Sequence, residues 1–290
     1  MTRPDISPVL VTGATGRIGR LVVGLLLDAG VPVRALTRDS EAAALPAKAE
    51  VFTGDLTVPE SLDPALSGAG AVFLLWTAPP ESAAAVVERL SGQVRRVVLL
   101  SSPHRTPHPF FQQPNPTARL HADLEDLVTA TGLDTTIIRP GMLASNALAW
   151  WAPAIRAGQV VRWPHAAAET APVDDRDVAA VAARTLCHDG HVGGDYVLTG
   201  PESLTQAAQV EAIGHALGRR VAFEEMTPAG FRTLAQGTPR PIVDMLLASW
   251  SAAVGRPAYV TTAVADVLGT APRTLHQWAA DHATAFTEGP

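Results

Sequence analysis

Between Pro8 and Ile138, short apolar runs alternate with stretches whose apolar residues recur with a helical period. The runs Pro8–Thr12, Val33–Thr37, Val51–Thr53, Ala71–Trp76, Val97–Ser101 and Thr135–Ile138 are apolar on both faces, as strands covered by helices on two sides must be. Arg17–Asp28 reads as a helix that stops near Gly30, a residue suited to the left-handed turn beyond a helix end. Thr117–Ala130 reads as another, with Leu120, Leu124, Leu127 and Val128 on one stripe. Strands alternating with helices predict an α/β fold on a parallel sheet.

After Arg139-Pro140-Gly141 the pattern changes. Short strands near Val160–Trp163 and Asp195–Leu198 are interspersed with helices. Ser203-Leu204-Thr205-Gln206 reads as a capping box opening a helix to Leu217. Further helices are predicted over Pro228–Ala235, Ile242–Ala253 and Thr274–Phe286. The expectation is one domain over residues 1–140 and a smaller, mainly helical substrate region over residues 141–290, interleaved with it. The Pro-rich stretch Pro103–Pro116 is a loop long enough to suggest a functional role.

Gly13-Ala14-Thr15-Gly16-Arg17-Ile18-Gly19 falls between the first strand and the first helix. There a Rossmann-type fold, a doubly wound parallel sheet, lets its backbone approach the pyrophosphate of a dinucleotide. Gly13 permits the tight turn, Gly16 the approach of phosphate, and Gly19 close packing of helix on strand. The helix N-terminus offers N–H groups and the positive end of its dipole, so Thr15, Arg17 and Ile18 join the candidate contacts. An NAD enzyme carries a carboxylate at the tip of its second strand for the ribose 2′-hydroxyl. Here Thr37 and Arg38 stand at that tip, and a guanidinium suits a 2′-phosphate. NADP(H) is therefore expected, with NAD(H) less favoured; Asp39 keeps NAD(H) open, and a solvent-facing Arg38 is the alternative. Asp55 and Leu56, after the third strand, are placed to meet adenine, unless Asp55 is a plain turn aspartate.

Sheets of this kind bind ligands beyond the carboxyl ends of their strands. That adds Trp76 and Thr77 after the fourth strand, Ser101 after the fifth with Ser102 and His104 as catalytic candidates that could touch the nicotinamide or the substrate carbonyl (the serines alternatively serving as caps), and Pro140 after the sixth. Met142, Asn146, Trp150 and Trp163, together with Trp151, read as an aromatic substrate wall or as core. His104 and His108 have no third ligand beside them, so no metal is expected.

Composition narrows the partners. Of 290 residues, 47% are hydrophobic and 17% charged, which supports a packed core rather than disorder. A net charge of -6 provides no electrostatic footprint for nucleic acid or anionic lipid. The single cysteine, Cys187, cannot form an internal disulfide. The chain start lacks the apolar core of a signal peptide, and no apolar stretch approaches the ~20 residues of a membrane span. The reading is a cytoplasmic protein acting on a small molecule, with a homodimer left open.

The glycine loop, with Ile137-Ile138-Arg139-Pro140-Gly141 and the preceding Thr131-Gly132-Leu133-Asp134-Thr135-Thr136, resembles the NmrA-like atypical short-chain dehydrogenase/reductases. The likeness continues through Ala171-Pro172-Val173-Asp174-Asp175-Arg176-Asp177-Val178-Ala179 and the helical C-terminal part. It implies an extended Rossmann fold, a small C-terminal substrate region and usually NADP(H). That family contains quinone and azo-type reductases, isoflavone-reductase-like enzymes, and redox sensors that bind cofactor without turning it over. Ordinary short-chain dehydrogenases use a tyrosine followed four residues later by a lysine. That dyad cannot exist here, because Lys48 is the only lysine and Ala44 stands four residues before it.

Many NmrA-like proteins keep a lysine in a Lys-x-x-x-Glu pattern, and the match is His121-Ala122-Asp123-Leu124-Glu125. His121 is thus the candidate to donate a proton or hold the nicotinamide ribose, a surface histidine being the alternative. Glu125 either orients His121 or is a solvated helix carboxylate. The favoured function is an NADP(H)-dependent reductase passing hydride to a hydrophobic or aromatic acceptor (a quinone, conjugated carbonyl or imine). The alternatives are a non-catalytic NADP(H)-sensing regulator and a non-redox isomerase, lyase or cyclase on the same fold.

Overall fold

The computed structural model describes residues 7–288. A seven-stranded sheet runs in the order β3-β2-β1-β4-β5-β6-β9. These strands are β1 (Val9–Val11), β2 (Val33–Thr37), β3 (Glu50–Thr53), β4 (Ala71–Leu75), β5 (Arg96–Leu100), β6 (Asp134–Pro140) and β9 (Asp195–Leu198). The strands β1 to β6 pair in parallel, with Val9 opposite both Val33 and Ala71. From β1 the chain winds outward to β3 and then crosses back to β4. The reversal lies between β1 and β4, where open α/β sheets bind their ligands. Thr12 fixes that point: its Oγ1 donates to Leu75 O at 3.0 Å and accepts the Leu75 N–H at 2.8 Å.

The predicted strands lie where expected, shifted by a residue or two at their ends. Their apolar runs are buried because helices cover both faces. These include α1 (Arg17–Asp28), α2 (Asp63–Leu66), α3 (Ala83–Ser91) and α4 (Ala118–Ala130). Leu10, Leu66, Leu74, Leu90, Leu99 and Leu124 meet in one core. Gly30 takes φ 75° just beyond α1, the left-handed stop expected there. The edge strands are the least covered: β3 is exposed or half-buried at all four residues and β9 at all but Leu198.

The remaining elements are α5 (Asn146–Trp150), α6 (Ala152–Arg156), β7 (Val161–Trp163), β8 (Glu169–Thr170) and α7 (Asp175–Cys187). After β9 come β10 (Leu204–Thr205), α8 (Gln206–Ala216), β11 (Phe223–Glu225), α9 (Pro228–Leu234), α10 (Arg240–Ala253), α11 (Ala263–Leu268) and α12 (Leu275–Asp281). Two sequence expectations are corrected here. Ser203 does not cap α8; it donates to Glu169 Oε2 at 2.6 Å, and Thr205 is the cap, accepting from Ala208 N. The single helix expected over Thr274–Phe286 is α12 followed by a 3-10 turn at Ala283–Phe286, with Thr274 and Gln277 forming the capping box. No helix among the described residues is long and apolar enough to cross a membrane.

The chain divides into two compact units. The first takes the chain up to Ser102, then Arg119–Arg139 and Arg176–Tyr196. The second takes Pro103–Ala118, Pro140–Asp175 and the chain from Val197 onward.

Candidate functional site

In the first unit the glycine loop is built by backbone contacts that side chains would destroy. Gly13 has φ 61°, a left-handed value. Gly16 donates its N–H to Gly13 O at 2.9 Å and stands at the N-cap of α1 with no side-chain cap bond. A Cβ on Gly19 would lie 2.1 Å from Gly13 O, so α1 can press against the turn only through a glycine. The N–H groups of the first helical turn have no intrahelical acceptors, which suits a phosphate.

The loop opens onto a cleft of about 460 Å³. Gly13, Thr15 and Gly16 form one wall, Leu36 to Asp39 with Ala42 and Ala43 another, and Gly54 to Thr57, Leu75 and Thr77 to Pro79 the rest. The loop presents to the cleft the tight turn and helix N-terminus that suit a dinucleotide pyrophosphate. Of the residues expected there, Arg17, Ile18 and Gly19 lie outside this lining; Ile18 and Gly19 are buried behind it and Arg17 is exposed. Trp76 also stands outside it and packs, with Phe52, against the core of the unit.

The wall beyond β2 discriminates between the carboxylates available to a ribose. The Asp39 carboxylate turns into its own loop, where Oδ1 accepts the N–H groups of Glu41 at 3.1 Å and Ala42 at 3.0 Å. Thr37 Oγ1 accepts the Asp39 N–H at 3.2 Å. Arg38, exposed at the mouth of the cleft, is the cation beside it. Asp55 accepts the Thr57 N–H at 2.8 Å. The hydrogen bonds from Thr57 hold its carboxyl below the usual range, and the Arg38 charge adds to them. Sequence reasoning passed over Arg20. Its Nε donates to Thr15 O at 2.8 Å, and its two terminal nitrogens to Ala44 O at 2.7 Å and Ala43 O at 2.8 Å. One guanidinium thus joins the glycine loop to the wall that carries Arg38.

At the carboxyl ends of β5 and β6 a buried network replaces the solvated carboxylate considered for Glu125. Arg139 and Glu125 are each only 2% exposed and pair through both oxygens, at 2.5 and 2.8 Å. Ser101 Oγ donates to the same carboxylate. Arg139 also reaches Asp195 at 2.6 Å and Ser102 O at 3.0 Å. Burial alone would lower the Arg139 pKa, but hydrogen bonds to Glu125 and Asp195 outweigh it and hold the pKa above its ordinary value. The network fixes the backbone at Ser101 and Ser102. His121, half-buried, stands one turn before Glu125 on α4.

The second unit contains a separate pocket of about 230 Å³. Its lining gathers His104, Met142, Asn146 and Trp150 of the predicted residues, with Gly141 next to Pro140. It also brings in Phe110, Phe111, Gln113, Met245, Leu246 and Ser249, none of which the sequence analysis singled out. Two adjacent phenylalanines in a Pro-rich loop were the available signal for the first pair. Asn146 Nδ2 donates to Met142 Sδ at 3.0 Å. Trp163 is outside this pocket: it is 5% exposed and packs on Phe231, Trp150 and Trp250 at 4.8, 5.6 and 5.7 Å between ring centres. His108 bonds Pro257 O at 3.1 Å. Among the described residues no three His, Cys, Asp or Glu side chains converge as a metal site.

Known proteins agree with this geometry. A family model described as NAD(P)H-binding matches residues 13–189. The (4-alkanoyl-5-oxo-2,5-dihydrofuran-3-yl)methyl phosphate reductase of Streptomyces griseus is 37% identical over 286 residues, covering 96% of this chain and 99% of its own. The NAD(P)H azoreductase of Xenophilus azovorans is 31% identical over 289 residues, covering 96% and 99%. Among solved structures, an NADPH-dependent quinone oxidoreductase from Escherichia coli superposes with a TM-score of 0.79 at 25% identity, over 94% of this chain and 98% of that one. Citrobacter triphenylmethane reductase complexed with NADP(H) shares the fold, with a TM-score of 0.78 at 21% identity over 95% and 99%. With the phosphate loop, the cleft and these relatives in agreement, the chain belongs to the NAD(P)H-binding, NmrA-like atypical short-chain dehydrogenase/reductases and is an NAD(P)H-dependent oxidoreductase.

Proposed function

We propose that the protein reduces a flat, electron-poor double bond conjugated to a carbonyl, with NADPH as the reductant. The observation that carries this reading is the pocket of the second unit. Its walls are aromatic and aliphatic, its polar groups are His104, Gln113, Asn115, Asn146 and Ser249, and its lining includes no carboxylate, lysine or arginine. Such a pocket accepts an uncharged conjugated ring and offers donors to its carbonyl oxygen. Of the two relatives above 30% identity, one supports the choice of a conjugated ring, being named for an acyl-substituted unsaturated lactone that also carries a phosphate, and the other is named for an azo bond.

When bound, NADPH supplies a hydride, and a proton from the protein or water completes the addition across the double bond. Gly13, Thr15 and Gly16 hold the pyrophosphate and Arg38 the 2′-phosphate. Asp55 and Leu56 border the adenine, and Thr77, Ser101 and Ser102 the nicotinamide end. The Arg139–Glu125 pair keeps the two serines in place. With no tyrosine–lysine dyad in the sequence, His121 on α4 is the proton donor of this reading.

Purified protein incubated with NADPH and a panel of unsaturated lactones, quinones and azo compounds tests the reading. Oxidation of NADPH that depends on an unsaturated carbonyl is expected. Turnover restricted to azo compounds would shift the acceptor class. Tight NADPH binding with no turnover of any acceptor would favour a sensor.

A further inference from the structure

We propose that a groove in the second unit, beside the acceptor pocket, is a subsite for an unbranched aliphatic chain carried by the substrate. The groove measures about 810 Å³, and Trp163 of β7, Ala154 of α6, Phe231 and Leu234 of α9, and Ile242 of α10 form much of its lining. Its one charged lining residue is Arg162, which pairs with Glu224 at 2.9 Å. The groove shares Asn146, Trp150 and Leu246 with the acceptor pocket, so one indole borders both. A ligand whose conjugated head occupies the smaller pocket would lay its chain along Trp150, the indole that both linings include.

The chemistry of the lining selects the chain. With no uncompensated charge, it offers nothing to a phosphate, a carboxylate or an ammonium group. Trp163 packs edge-to-face on Phe231, rings 4.8 Å apart, and lies tilted against Trp150 at 5.6 Å, so the three rings supply a packed apolar surface. A flexible chain conforms to such a surface, whereas a second ring system needs a matching slot. Leu234, 61% exposed, marks an end of the groove that a long chain would cover, removing its apolar surface from water. The three residues shared with the proposed acceptor pocket favour a substrate chain over a second copy of the protein. The inference rests on the reductase reading only for the head group.

Primary alkanols from butanol to dodecanol carry no acceptor bond, so they probe the groove without turnover. Titrated into the full-length protein and followed by tryptophan fluorescence, each added methylene should tighten binding, by up to about fourfold where it is fully buried. Ala154→Phe narrows the groove and should flatten that dependence while leaving the melting temperature near that of the native chain. Leu234→Glu should weaken only the longest alkanols. Affinity independent of chain length, or a dependence untouched by both variants, would overturn the proposal. A change of sedimentation in Leu234→Glu without any alkanol dependence would overturn it in favour of self-association. Failure of the reductase reading would show separately, as NADPH that no acceptor oxidises.

Discussion

The first unit shapes its cleft with main chain, and the second shapes its pocket with side chains. In the glycine loop the determining facts are a left-handed φ at Gly13, a hydrogen bond between Gly16 and Gly13, and a backbone contact at Gly19 that leaves no room for a Cβ. In the second unit, Phe110, Met142, Trp150 and Leu246 fix the pocket by bulk alone. A main-chain site tolerates few residues at few positions. A side-chain site of the same size can be built from many apolar combinations. Relatives over nearly the whole chain are named for acceptors as unlike as a lactone phosphate and an azo compound, as function grafted on a shared fold permits.

The sharpest way to break the contrast is at Gly19. Gly19→Ala places a Cβ against Gly13 O, where backbone must give way. NADPH binding should fall below detection by calorimetry, while alkanol binding in the second unit persists. In contrast, a Cβ on Gly16 meets Gly13 O at 3.2 Å, so Gly16→Ala should retain measurable binding. Equal behaviour of the two variants would mean that the turn is softer than its geometry implies.

A smaller effect asks whether the first unit does more than hold a cofactor. His121→Phe keeps the bulk of the side chain and removes both ring nitrogens. On the proton-donor reading, turnover should fall by ~10²–10⁴ with NADPH affinity nearly unchanged. A parallel loss of affinity would make His121 a ribose-positioning residue. Unchanged kinetics would pass the role to Ser102 or His104.

The same contrast governs what was legible in the sequence. The strands, α1 and the glycine loop were readable because backbone requirements leave few residues to choose from. Glu125 was not. Whether a helix carboxylate is solvated or buried depends on Arg139, fourteen positions later on another strand, and no local pattern reports that pairing. Trp150 and Trp151 make the point in adjacent residues: the first lines the pocket of the second unit, and the second is 1% exposed in the core. The helix α3 was in fact legible, since Ala83, Val86, Val87 and Leu90 form a helical stripe that the sequence analysis passed over. Arg20 carried no signal, because its partners are carbonyls and any residue has one.

Arg20 also supplies the finest test, because here a side chain serves a main-chain site. Its guanidinium spans three carbonyls, two of them on the wall that carries Arg38. Arg38→Ala removes the charge offered to the 2′-phosphate and should cost NADPH roughly 1.5–3 kcal/mol of affinity, about tenfold or more, with NADH little affected. Arg20→Met retains the aliphatic stem but releases the wall, so the segment around Ala43 must be ordered when the cofactor binds. Fixing one residue costs about 1–2 kcal/mol, and part of that should appear as a loss of about fivefold in NADPH affinity. NADH, which makes no use of the 2′-phosphate wall, should lose less. Arg20→Lys should rescue only in part, since an ammonium group cannot reproduce the spread of a guanidinium fork. Equal losses for both cofactors would place the action of Arg20 on the glycine loop through Thr15, and no loss for either would show that the wall holds its shape without the clamp.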